Sequence, residues 1–205
     1  MKSIEMTRYD QRYLFFMSIL YGFLLYSSCS EKLSYDEYVS IELSKGVLND
    51  SIVYGVRFGM TFSEFDAYCL AMNKKNFFMP NHNGSAVRMK LDDGFNEPVY
   101  FDFFPTASVD QNIIELTASM TYQNFSYYDK RYGIDNLVHE TNTFFEKGYG
   151  GNKFFSIPHE NKLLKQKYVK IDGNRKIEVS QNFDGQMVNI VFKNLNTECQ
   201  KLSIE

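Results

Sequence analysis

A pattern that occurs twice constrains this chain more than any other feature. Arg57-Phe58-Gly59-Met60-Thr61 recurs as Arg131-Tyr132-Gly133-Ile134-Asp135. Asn76-Phe77-Phe78-Met79-Pro80 recurs as Lys153-Phe154-Phe155-Ser156-Ile157-Pro158, and His82 and His159 follow the two prolines. The offsets are 74 residues for the first motif, 77 for the Phe pair and 78 for the proline. Collinear matches with so little drift predict an internal repeat of about 75 residues, one supersecondary unit used twice. Chance similarity in a chain with 19 Phe is the competing explanation.

Each copy reads as a helix followed by three strands. In the first, Thr61 is placed as a helix N-cap, and Glu64 completes a Thr-x-x-Glu capping box. Phe62, Phe65, Cys69 and Met72 then form one apolar stripe at helical spacing. In the second, Asp135 is the expected cap, Ile134, Leu137, Val138, Thr141, Phe144 and Phe145 make the stripe, and Gly148 ends the helix. After the first helix, Val87, Met89 and Leu91 alternate with Arg88 and Lys90. Val99, Phe101 and Phe103 alternate with Tyr100, Asp102 and Phe104 beyond the turn Asp92-Asp93-Gly94, and a third run spans Ile114 to Tyr122. After the second helix, Val169 and Ile171, Ile177 and Val179, and Val188, Ile190 and Phe192 are separated by Asp172-Gly173 and Asp184-Gly185. Asp-Gly between alternating runs is a hairpin signal. The expected fold class is α+β: duplicated αβββ units, about 55–122 and 129–194, in one domain over 51–205. They form an antiparallel sheet with helices on one face and the other face open.

The beginning of the chain has a different grammar. Lys2, Arg8 and Arg12 precede the apolar run 13–28, which ends in small residues before Cys29. That order is a signal peptide's. With about 16 residues, the run is shorter than the roughly 20 a bilayer-spanning helix needs. Ser27-Ser28-Cys29 resembles the lipobox of bacterial lipoproteins, with Tyr26 where Leu is usual and Leu25 one place back. The resemblance implies cleavage after residue 28, acylation of Cys29 and a cell-envelope location anchored through that lipid, the outer membrane being favoured over the inner. Were Met6 the true start, Arg8 and Arg12 would remain. Residues 29–50 are then expected to be the lipidated cysteine and a polar, acidic tether with one short helix at 34–44. Removing 1–28 takes Lys2, Arg8, Arg12, Glu5 and Asp10 from totals of 22 basic and 25 acidic side chains, leaving 19 and 23. An acidic body argues against nucleic acid as a partner.

Two tandem helix-and-strand units of this size are similar to the β-lactamase-inhibitor-protein fold. Gly59-Met60-Thr61-x-x-Glu64 resembles the helix start of small outer-membrane lipoproteins of the SmpA/OmlA type, which carry one such unit. The first resemblance implies a concave sheet face that binds another protein, the second a scaffold role in outer-membrane assembly.

Candidate chemistry is sparse. His139-Glu140 lacks the second His that a zinc helix of that kind needs, and a metal shared by His82 and His159 stays open. Cys69 sits on an apolar stripe and Cys199 past the last strand, so a free buried Cys69 and a disulfide between them are both readings. Gly148-Tyr149-Gly150-Gly151-Asn152-Lys153 lacks the phosphate-loop spacing and reads as a flexible turn. Asp92, Asp93, Glu97 and Asp102 cluster at a hairpin, where Asp is at home. These readings expect no catalytic residue, cofactor or metal. Alternation places Tyr100, Asp102, Phe104, Tyr168, Lys170, Lys176, Glu178 and Asn189 on the open face. Of these, Tyr100, Asp102, Phe104, Tyr168, Glu178 and Asn189 are the candidate partner-binding residues, since aromatics inside a polar rim suit protein recognition. The competing view is a face merely solvated, or covered by residues 30–50. The expected function is a lipid-anchored binding or scaffold module that meets another envelope protein. A hydrolase or carbohydrate-acting enzyme using the acidic residues, and an immunity-type inhibitor of a toxin, are the alternatives.

Overall fold

A computed structural model of the chain describes residues 33–126, 128–164 and 166–197. The described residues from Tyr35 onward belong to one compact unit. Among them are three α-helices, α1 (Tyr35–Ser44), α2 (Phe62–Asn73) and α3 (Ile134–Tyr149), and a 3₁₀ turn at Lys130–Tyr132. The unit's eight strands are β1 (Met79–Pro80), β2 (Val87–Leu91), β3 (Val99–Ala107), β4 (Ile113–Tyr122), β5 (Phe155–Ile157), β6 (Lys167–Asp172), β7 (Arg175–Gln181) and β8 (Val188–Asn194). All pair antiparallel in a single sheet of order β1-β2-β3-β4-β8-β7-β6-β5. The protein is therefore α+β, built on one antiparallel sheet.

The capping box forms as expected. The Thr61 hydroxyl accepts from the Glu64 N–H at 3.2 Å, and the Glu64 carboxylate accepts from the Thr61 N–H at 2.8 Å. From that start α2 turns Phe65 into the core, where its ring meets Phe103 at 6.5 Å between centroids. Helix α3 lays Leu137, Val138, Thr141 and Phe145 on the same sheet face, and Phe145 meets Phe192 edge-on at 5.4 Å. Between helices and sheet, Phe101, Phe103, Leu116, Met120, Ile177, Val179, Ile190 and Phe192 are almost fully buried. An aromatic core of this kind gains edge-to-face ring contacts beyond the area it buries.

Several expectations are corrected. Four strands follow each of α2 and α3, because the Phe-Phe segments lead into two short outer strands, β1 and β5. Both are edge strands; Pro80 lies in one and Pro158 directly after the other. Gly133, not Asp135, is the N-cap of α3, which has no side-chain cap bond; Asp135 lies in the first turn, where its charge suits the helix dipole. The helix passes Gly148 and ends at Tyr149, with Gly150 as cap at φ 62°.

The larger correction concerns α1. Residues 35–50 are part of the body rather than a tether, and α1 packs on the sheet face opposite α2 and α3. Tyr35, Tyr38, Val39 and Leu43 cover Val169, Ile171, Phe155, Ile157 and Leu195, a second apolar cluster, with Tyr38 on Phe155 at 4.9 Å. Helices thus lie on both faces. A buried carboxylate fastens α1 in place: Glu42 accepts from Lys45 Nζ at 2.5 Å, Asn152 Nδ2 at 2.8 Å and the Gly173 N–H at 3.3 Å. Gly173 is obligatory there, with φ 57° in a two-residue hairpin and the Val47 carbonyl where a Cβ would stand. Burial alone would raise the Glu42 carboxyl, but its three hydrogen bonds outweigh burial and hold it below its ordinary 4.5. A carboxyl depressed by folding contributes stability that is fully present above that ordinary value and is lost as pH falls through the lower, folded one. Acid unfolding monitored below pH 4.5 is therefore expected to be shallower for Glu42→Gln than for the parent. Identical acid limbs would remove Glu42 as a contributor.

Candidate functional site

Because α1 covers the outer face over β5, β6 and the Lys176 end of β7, the face over β2, β3, β4 and β8 is left uncovered. Strand pairing sets its composition. One row across the sheet runs Arg88, Asp102, Ser119, Asn189, Ser180. The row on one side carries Lys90, Tyr100 and Thr121; the row on the other carries Phe104, Thr117, Val191 and Glu178. Directly opposed residues share a face, so these side chains form one surface.

At its β2 end the Arg88 guanidinium grips the Asp102 carboxylate with two bonds, Nε to Oδ1 at 2.7 Å and Nη2 to Oδ2 at 2.8 Å. Its central carbon lies 4.6 Å from the centroid of the Tyr100 ring. The two charged side chains are only 12% and 18% exposed. Hydrogen bonding to Asp102 raises the Arg88 pKa further. A bidentate pair stacked on an aromatic ring is rigid before any partner arrives. Further along the face the charges are also paired: Glu115 with Lys193 at 3.4 Å and Lys167 with Glu178 at 3.5 Å across strands, and Lys176 with Glu178 at 3.2 Å along β7.

Five of the six residues expected on this face are on it: Tyr100, Asp102, Phe104, Glu178 and Asn189. Tyr100 is half-buried under Arg88, Asn189 is exposed two strands from Asp102, and Phe104 is 43% exposed. Tyr168 is not. It pairs with the buried Val179, packs against the main core and accepts from Gln166 Nε2 at 2.5 Å. Lys170 is likewise on the helix side, with no exposure at all. On β6 it is Val169 and Ile171 that point outward, beneath α1. Arg88, Thr117 and Ser119 also belong to the site; alternation sets them opposite the apolar side of their strands, and the register brings them beside Asp102 and Phe104.

The other candidates are dispersed. Asp92, just past β2, pairs with Lys90 at 2.9 Å, whereas Asp102 is held by Arg88. His82 and His159 follow β1 and β5, at opposite edges of an eight-stranded sheet about 34 Å across at the usual strand spacing, so they share no ion. Glu140 beside His139 is buried as a structural acceptor, taking the Tyr122 hydroxyl at 2.6 Å and Asn136 Nδ2 at 3.0 Å. Among the described residues no group of three or more His, Cys, Asp or Glu could hold a metal ion. Cys69 is free and half-buried, its thiol pushed up to about 11 by burial and then by Asp66. Cys29 and Cys199 lie outside the described residues. No described helix is long and apolar enough to cross a membrane. The Gly150-Gly151 turn is pinned, not loose: the Asn152 N–H donates to Asp172 at 2.8 Å and Lys170 Nζ to the Gly150 carbonyl at 2.6 Å. Compared with known protein families, curated proteins and solved structures, the chain matches none.

Proposed function

We propose that the chain is an envelope lipoprotein, acylated at Cys29, whose body recognises another envelope protein through the uncovered half of the outer sheet face. Recognition requires no catalysis, cofactor or metal. The observation that carries this reading is the asymmetry of the face. Over β5 and β6 it is apolar and covered by α1; over β2, β3, β4 and β8 it is open, polar and preorganised around Arg88, Asp102 and Tyr100. Arg and Tyr dominate the energetics of protein interfaces, most of all where their geometry is set in advance. The paired charges leave the face without a strong sign, which suits a protein better than a polyanion. The leader 1–28 and Ser27-Ser28-Cys29 support the anchor. The mirrored strand order about β4 and β8, with a helix and four strands in each half, supports descent of the body from a duplicated unit.

The test is capture of partners from detergent-solubilised envelopes with the full chain as bait. Tyr100→Ala with Phe104→Ala is expected to weaken capture at least about tenfold, since truncating a hot spot costs about 2 kcal/mol or more. Ile41→Asp, on the exposed side of α1, is expected to capture as the parent does. Undiminished capture by the double variant would move the binding surface elsewhere. A large fall in its unfolding midpoint would make the two residues core instead.

A further inference from the structure

A hollow lies beside the open face, between α2, β1 and the 84–87 segment. It encloses about 410 Å³. Phe65, Cys69 and Leu70 of α2 form one wall; Met79, Val87 and Phe104 form another. Leu70, Met79 and Phe104 are 65%, 41% and 43% exposed, an apolar cluster that a solvated surface does not need. A second hollow of about 260 Å³ on the outer face is lined by Asn81, Asp102, Thr117 and Ser119, and Ala86 and Phe104 belong to both. An apolar slot therefore runs into a neutral, hydrogen-bonding shelf.

We infer that this composite groove takes an uncharged or basic peptide segment of the partner, with one large apolar side chain in the slot and its backbone over the shelf. The inference rests on the protein-binding reading above and names what that face selects. Charge carries the choice. No Lys, Arg or His lines either hollow; their ionisable carboxylates are Asp66, exposed on α2, and Asp102, already held by Arg88. An acidic segment or an anionic lipid headgroup would meet Asp66 with no cation to offset it, whereas a Lys or Arg beside the apolar anchor would pair with it. A bare acyl chain would fill the slot and leave the hydroxyls and amide of the shelf unmatched. A peptide backbone supplies donors and acceptors for them.

Cys69 in the slot wall is the reporter. Alkylation of Cys69 by N-ethylmaleimide at pH 9, mapped by mass spectrometry on the full chain, is measured with blocked decapeptides carrying a central leucine flanked by lysines or by glutamates, and with dodecyl maltoside below its micelle concentration. The lysine-flanked peptide is expected to slow alkylation at least fivefold, at a concentration at least tenfold lower than the glutamate-flanked one. Asp66→Lys is expected to reverse that preference, and Ala86→Trp to abolish protection by both. Equal protection by the two peptides, an unchanged preference in Asp66→Lys, or protection by the detergent alone would each overturn the inference, the last in favour of an acyl chain. Ala86→Trp and Asp66→Lys leave Tyr100 untouched. If they capture the envelope partner normally while Tyr100→Ala does not, the groove is wrong and the face stands; if Tyr100→Ala also captures normally, the face itself fails.

Discussion

Lys170→Ala is expected to lower the stability of the body by about 3 to 5 kcal/mol, the cost of stripping one partner from a buried ion pair. Lys170 is fully buried. Its ammonium has three donors, and all three are used: on the Gly150 carbonyl at 2.6 Å, on the Asn152 carbonyl and on Asp172 Oδ2 at 2.7 Å. Asp172 in turn accepts from the Asn152 N–H and lies 3.5 Å from Arg175 Nη2, while Arg175 donates to the Ser51 carbonyl at 3.0 Å and stacks on Tyr149 at 4.0 Å. One cluster thus joins the end of α3, the β6–β7 hairpin and the strand-like segment entering from α1. Removing the ammonium leaves two carbonyls without their donor and Asp172, only 12% exposed, with the longer contact to Arg175 as its remaining cation. Urea unfolding checks this through the midpoint and slope. Lys170→Met with Asp172→Asn is expected to be clearly less damaging than the sum of the two single changes, because the residues act as a unit. Additive losses would mean that the pair contributes no coupling.

Cys29→Ala is expected to move the protein from the membrane fraction to the soluble fraction, with loss of labelled fatty acid. The reasoning is one of magnitudes. Each methylene buried in a bilayer contributes about 0.8 kcal/mol, so two or more acyl chains hold a protein far more firmly than any surface patch. Among the described residues no membrane-spanning helix offers a substitute. Fractionation with metabolic labelling reads the outcome. Retention of the alanine variant in membranes, unlabelled, would end the lipoprotein proposal and make the apolar run at 13–28 an uncleaved anchor.

Local chemistry was legible in the sequence wherever one segment decides its own structure. The Thr61–Glu64 box and the Asp-Gly hairpins are of that kind. The apolar stripe of α1 was there to be read, since Tyr35, Tyr38, Val39 and Leu43 keep helical spacing, but buried Glu42 interrupts it and made the segment look solvated. Alternation along β6 correctly separated Val169 and Ile171 from Tyr168 and Lys170. It could not tell which set faces which layer, because a period of two is blind to a one-residue slip. The two Phe pairs show that slip: Phe78 enters the main core, whereas Phe155, which stands at the corresponding place in the second Phe pair, enters the cluster under α1. The grip of Arg88 on Asp102 spans 14 residues and exists only through the β2–β3 register, so no motif announces it.

The prolines at the two ends of the sheet have a consequence for how many copies can live together. An eight-stranded antiparallel sheet would ordinarily offer two rows of unsatisfied amides to any neighbour, the template for cross-β growth. Here the outermost strands are two and three residues long, one containing Pro80 and the other running into Pro158. Neither can hold a matching strand over more than a turn of ladder, and each proline withholds a donor at the place where a new strand would begin. Crowded molecules of this protein are thereby denied fibrous polymerisation through the sheet, and whatever assembly they enter is left to side chains on the faces.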